Sequence, residues 1–171
     1  MPDSLQIRPM TIADIDGVLQ VQAATYATHY HEPAAVFASK LALAGQFCFV
    51  AVKQQQLCGY LFAHPWSHSA PPALFAAIDQ IPSDADSLFV HDMALHPSWR
   101  GQAIGQRLIQ HSLQAAQQAQ LTYSTLVAVA GAQRFWQQIG YLVTDIEHGP
   151  SFPGRYGNTA RHMRLSLLRS G

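Results

Sequence analysis

The chain has 171 residues, 49% of them hydrophobic and 12% charged, a composition that excludes a disordered chain and fits one domain, residues 1–171, with a sizeable core. Lys+Arg and Asp+Glu are ten each, so no basic excess points to a nucleic-acid partner. No N-terminal apolar segment resembles an export signal and no apolar run is long enough to cross a membrane, so the expectation is a cytoplasmic protein with no membrane partner.

In that setting Cys48 and Cys58 are expected as reduced thiols in strands. The first element, residues 5–8, alternates and reads as a short strand. Thr11 then caps a helix to about residue 28, with Ile15, Val18, Leu19, Gln22 and Tyr26 at helical spacing. After Glu32 and Pro33 a second helix runs to about Ala44 and stops before Gly45. Residues 47–52 and 57–63 are strands around a polar turn at 53–56, which makes a hairpin. His64 to Pro72 should not continue it, because prolines interrupt a ladder. Residues 64–86 are therefore a long insertion, with a short helix expected at 72–79. His64 and His68 hint at metal, but no third and fourth ligand at recognisable spacing accompanies them, so no metal is expected.

Residues 88–95 are an apolar run broken by His91 and Asp92, a mostly buried strand that Pro97 ends. The sequence Arg100-Gly101-Gln102-Ala103-Ile104-Gly105-Gln106 follows, then a helix with Gly105, Ile109, Ser112, Leu113 and Ala116 on one face and glutamines opposite. Residues 122–130 are a strand, 131–138 a helix ended by Gly140, and 141–144 a strand. Residues 148–158, with three glycines and two prolines, are a loop, and 162–168 a final half-exposed strand.

The strand, small-residue turn and helix at residues 88–118 have a chemical use. A helix N-terminus offers amides without intrahelical partners, and its dipole favours an anion. Gly101, Ala103 and Gly105 leave the main chain accessible, and Arg100 adds a charge suited to phosphate. An ordinary helix start would read the same way. A P-loop would need Lys and Ser or Thr after the last glycine, where Gln106 and Arg107 stand, and the three-glycine dinucleotide fingerprint is absent too.

The turn resembles the acetyl-CoA signature of the GNAT superfamily of N-acetyltransferases: Arg100, two residues, Ala103 for the usual glycine, one residue, Gly105. Alanine keeps the backbone open but makes a positive φ costly there. The segment Ala132 to Tyr141 resembles the family's late motif and ends in Gly140-Tyr141. It departs from the pattern at Val129, often Asn, and at Trp136, often the tyrosine that protonates the leaving thiolate. The resemblance spans nearly the whole chain. It implies an α/β (α+β) single-domain fold with a mixed, mostly antiparallel sheet of about seven strands, helices on both faces, and a split between the fourth and fifth strands.

It also implies acetyl-CoA as cosubstrate, met by Met93, Ala94 and Leu95, by Arg100 through Gln106, and by Trp136. The implied reaction is transfer of acetyl to an amine by direct attack in a ternary complex. His91 is the expected general base: its intrinsic pKa suits the role, strand alternation puts it on the face of Met93, and a histidine here resembles the arylalkylamine branch. The same alternation turns Asp92 away, toward a structural role. Tyr156 and Tyr141 are the candidate acids. Carboxylates near the expected acceptor pocket are scattered, whereas Tyr26, Tyr30, Trp66, Phe75, Phe152 and Tyr156 fit a small apolar or aromatic amine, or an amino acid, with protein N-termini also open. A homodimer is compatible with the sequence. The alternative classes are a non-catalytic acetyl-CoA or CoA sensor, to which Trp136 and Val129 point, and a protein-interaction module using residues 64–86.

Overall fold

The computed structural model describes residues 4–28, 31–69, 72, 79–129, 131–144 and 160–168. The strands are β1 (Gln6–Pro9), β2 (Phe49–Lys53), β3 (Gln56–Trp66), β4 (Ser87–Leu95), β5 (Tyr123–Ala128), β6 (Leu142–Val143) and β7 (Arg161–Ser166). The helices are α1 (Ile15–Thr25), α2 (Ala34–Ala44), α3 (Ile104–Gln118) and α4 (Gln133–Ile139). The seven strands form one sheet in the order β1-β2-β3-β4-β5-β7-β6. Only β4 and β5 pair in parallel; the other neighbours are antiparallel. The expected helix at residues 72–79 and loop at 148–158 fall almost entirely outside the described residues, as does Tyr156.

Local chemistry explains most element ends. Asp14 accepts the Thr11 amide at 2.8 Å and binds Arg8 through both oxygens, starting a 3-10 turn that leads into α1. That helix stops at Thr25, short of the expected residue 28, because Tyr26 is extended and sends its hydroxyl 2.8 Å to the Met93 carbonyl. Gly45 does not end the second helical stretch outright. A 3-10 turn, Gly45–Phe47, delays the following strand to Phe49. The β2–β3 turn uses Gln54 and Gln55, both at positive φ and without a glycine.

The third strand corrects one expectation. His64, Pro65 and Trp66 continue β3 and pair with Phe89, Leu88 and Ser87. Pro65 is tolerated because β2 ends opposite Leu61, so the far side of β3 has no ladder for a missing N–H to break.

Two irregularities in β4 shape the centre of the molecule. Phe62 pairs with Asp92 but Ala63 with Val90, which leaves His91 as the extra residue of a β-bulge. In addition, β5 pairs with β4 only from Ser87 to Val90 and then continues with β7 alone. The sheet therefore splays at the bulge, and residues 91–95 present an unpaired edge toward β5.

The two faces of the sheet carry separate cores. On one, Ile104, Leu108, Ile109 and Ala116 of α3 and Trp136 of α4 pack on Cys58, Leu61, Leu88, Val90 and Leu126, with Met93 and Leu95 at the margin. On the other, Ile15, Val18 and Val21 of α1 and Phe37 of α2 pack on Cys48, Val50, Tyr60, Phe62 and Ala94. Both cysteines are buried free thiols. Among the described residues no helix is long and apolar enough to cross a membrane.

Candidate functional site

The turn after β4 presents main chain. Gly101 sits at φ 82° with nothing within 4 Å of where a Cβ would stand, so the space beside it is open. Ala103, the residue before α3, takes φ 58° and ψ 23°. The alanine therefore does not exclude the left-handed conformation; it adopts it at a cost of about 1–2 kcal/mol. Gly105 is buried, and a Cβ there would meet the Phe135 ring at 3.2 Å and the Met93 methyl at 3.4 Å. The first helical bond of α3 reaches back from the Arg107 amide to the Ala103 carbonyl at 3.3 Å. Amides ahead of it are left to an outside acceptor. Arg100, Gly101, Gln102 and Gln106 are exposed around them. This set of residues fits a phosphate-bearing ligand: open main chain, a helix dipole of the right sign and one fixed cation.

Beside the turn, the splay between β4 and β5 is a cavity of about 150 Å³. That is close to the volume of an engineered cavity that accepts benzene, about 150 Å³. Val90, Met93, Leu126 and Ala128 line it together with Trp136, whose ring meets Phe135 and Tyr141 edge-on. Its polar wall is Tyr26, Glu32, His91 and Asp92.

The bulge corrects the expected facing of that wall. Val90, Met93 and Leu95 pack on the α3 side and Ala94 on the α1–α2 side, so one residue is gained between them. His91 and Asp92 consequently both turn toward α1 and α2, and His91 does not share a face with Met93. The His91 side chain, 1% exposed, puts Nε2 2.7 Å from Glu32 Oε1. Lys40 Nζ of α2 lies 3.8 Å from the other Glu32 oxygen. Gln22 holds the Glu32 main chain by two bonds, accepting its amide at 2.8 Å and donating to its carbonyl at 3.1 Å. His91 Nδ1 is buried and makes no hydrogen bond.

Asp92 lies between two phenols, Tyr60 at 2.7 Å and Tyr26 at 3.1 Å. Burial raises its carboxyl to about 6, against the pull of His91 and the tyrosine bonds. The Tyr26 hydroxyl has one hydrogen and two acceptors in reach, Asp92 and the Met93 carbonyl. The hydroxyl therefore shares its one hydrogen between the Asp92 carboxylate and the Met93 carbonyl. Burial lowers Lys40, with Glu32 opposing, and pushes Tyr26 and Tyr60 up. His64, behind His91 with ring centroids 6.3 Å apart, is pushed down to about 3 by burial.

The structure thus brings His91, Met93 and Trp136 to one cavity and the Arg100–Gln106 turn beside it. It takes Ala94 out of reach, with its side chain in the α1–α2 core. The His96 amide bonds the Cys58 carbonyl on β3, so by strand alternation the Ala94 amide also faces β3, while those of Met93 and Leu95 face the splay. Tyr141, the other candidate acid, is fully buried, bonded to Ser124 at 2.7 Å and pushed further up by burial. His68 pairs with Asp86 and packs on Tyr123, away from His64. Sequence reasoning missed Glu32 as the partner of His91, read Gln22 only as a helix-face position, and missed Lys40 and Tyr60 altogether. The one available signal was a buried helix position filled by Lys40 on an otherwise apolar face.

A family model described as the acetyltransferase (GNAT) family matches residues 15–141. No match to a curated protein was found. In fold the chain is similar to Ard1 from Thermoplasma volcanium (TM-score 0.74, 14% identity, covering 96% of this chain and 99% of that one). It is also similar to the loading GNATL domain of CurA from Lyngbya majuscula (0.81, 10%, 96% and 98%). A third similar structure is a GNAT family acetyltransferase from Brucella melitensis in complex with acetyl-CoA (0.65, 17%, 98% and 90%). At these identities the three share the fold.

Proposed function

The chain belongs to the acetyltransferase (GNAT) family, whose members use acetyl-CoA, and on that premise we propose that it acetylates the amine of a small acceptor held in the splay between β4 and β5. The observation that carries this reading is the adjacency of the two halves of the site: an open main-chain turn at a helix start lies beside a cavity with a buried histidine on its wall.

In this reading Arg100, Gly101, Gln102, Ala103, Ile104, Gly105 and Gln106 bind the pyrophosphate of CoA, mostly through main chain. The bound cosubstrate supplies an activated thioester carbonyl. Met93 and Leu95 turn their amides to the splay and stabilise the charge that develops on the carbonyl oxygen; Ala94 only spaces them. Trp136 walls the cavity and excludes water. Its indole cannot give up a proton, so the leaving thiolate takes one from solvent unless Tyr156 provides it. The proton of the acceptor ammonium goes to His91. Asp92 also borders the cavity, but both its oxygens are already engaged by phenols, whereas the buried His91 Nδ1 makes no hydrogen bond.

The acceptor follows from the cavity walls. Tyr26, Met93, Leu126 and Trp136 favour an apolar or aromatic amine, and about 150 Å³ limits the part that enters to one ring or a short aliphatic chain. The test is a panel of arylalkylamines, aliphatic amines, polyamines, amino acids and N-terminal peptides with acetyl-CoA, read by free-thiol release and product mass. Turnover with the apolar or aromatic amines, at least tenfold above polyamines, is expected. Tight acetyl-CoA binding with no turnover on any amine would mean a sensor instead.

A further inference from the structure

We propose that Glu32 is the positioning residue of the proton-accepting histidine: it holds His91 with a proton on Nε2 and so leaves Nδ1 as the atom that accepts the acceptor amine's proton. This rests on the acetyl-transfer reading above and adds to it a residue and an atom.

The argument starts from the neutral imidazole, which has one N–H and one lone pair. Glu32 accepts at Nε2 over 2.7 Å, and a carboxylate only accepts, so the hydrogen is on Nε2. The lone pair is then on Nδ1, which is buried and without a hydrogen bond. An unmet buried acceptor is costly, and an atom left in that state in a cavity wall is suited to a donor that arrives later. An ammonium, or one water between it and the ring, is such a donor.

The step balances. The proton leaves the amine nitrogen for Nδ1 and the electron pair stays on nitrogen, ready for the carbonyl carbon. His91 becomes an imidazolium whose charge faces the Glu32 carboxylate, and the proton later passes to solvent. Glu32 is itself fixed from three sides: Gln22 clamps its main chain, His91 takes Oε1, and Lys40 lies 3.8 Å from Oε2. The bulge makes the pair possible, because regular alternation would point His91 toward α3. The charged and titratable groups facing the imidazole are Glu32 from the α1–α2 connection, Lys40 from α2, His64 from β3 and its neighbour Asp92 on β4, with Tyr26 and Tyr60 around Asp92.

The experiment is the cycle of Glu32→Gln, His91→Ala and the double variant, on the best amine from the panel, together with imidazole ¹⁵N NMR of the full chain. The expected wild-type spectrum has the His91 proton on Nε2. Glu32→Gln presents an amide that can donate to the ring and shifts the proton to Nδ1. Its kcat should fall roughly 10²-fold, the low end for general-base catalysis, with the acetyl-CoA dissociation constant within about threefold. The double variant should be no slower than His91→Ala alone. Multiplicative losses in the double variant, or a wild-type His91 proton on Nδ1, would overturn the positioning role. If Glu32→Gln does not fold, the wild-type spectrum and Glu32→Asp, expected to keep the Nε2 proton and most of the rate, decide it. His91→Ala with wild-type turnover would also overturn it, whereas failure of the acetyl-transfer reading looks different: the wild type then turns over no amine, while the spectrum still reports the Glu32–His91 bond.

Discussion

The two sides of β4 solve different problems with different materials. On the α3 side the candidate site is a short contiguous turn of open main chain with one cation beside it, backed by an apolar core. On the α1–α2 side it is a buried set of ionisable side chains from several elements: Tyr26, Glu32, Lys40, Tyr60, His64, His91 and Asp92. A main-chain cradle depends on small residues and backbone conformation and is indifferent to mild pH. A buried polar network depends on every member being paired, and its proton occupancy follows pH. In the proposed reading, binding of the phosphate-bearing partner and control of the proton are kept on opposite faces of one strand.

Breaking the cradle should have the largest effect. Gly105→Glu adds a carboxylate at the start of α3, and its Cβ already meets Phe135 at 3.2 Å. Acetyl-CoA binding by titration calorimetry should weaken at least 100-fold in a protein that remains folded by circular dichroism. Unchanged affinity would remove the turn from the pyrophosphate site and leave only the polar side of the comparison.

The polar side should be the acid-sensitive one. His64 is neutral in the fold, lowered to about 3 from an ordinary 6.5 by burial. A base lowered on folding gives stability that is present above pH 6.5 and is lost as pH falls toward 3, since the unfolded chain binds the proton first. Between pH 7 and pH 5 this one residue should cost about 2 kcal/mol. Urea unfolding of wild type and His64→Leu at both pH values reads the difference: the variant should lose about 2 kcal/mol less. Equal losses in the two proteins would show that His64 gains a proton without unfolding the network around it.

The smallest effect sharpens the cradle side. Ala103→Gly removes the strain of φ 58°, about 1–2 kcal/mol, but frees the unfolded chain by about 0.4–1 kcal/mol. Thermal unfolding should show a net gain below about 1.5 kcal/mol, with acetyl-CoA affinity changed less than threefold. A clear loss of stability would mean that the Ala103 methyl makes contacts that matter more than its backbone strain.

The same contrast divides what the sequence determined from what only the tertiary structure decided. Element order, the helix start at Thr11, the strand into Pro97 and the Arg100–Gly105 turn were legible because each depends on residues adjacent in the chain, through capping, proline geometry or helical spacing. The polar wall was not. His91 and Glu32 are 59 positions apart, and Tyr26 and Asp92 are 66 apart, so no local pattern joins them. The facing of His91 was misread for a further reason. Alternation holds only while pairing is regular, and whether β4 accommodates an extra residue opposite Phe62 and Ala63 is settled by how β3 and β4 pack between the two cores, which strand periodicity does not record.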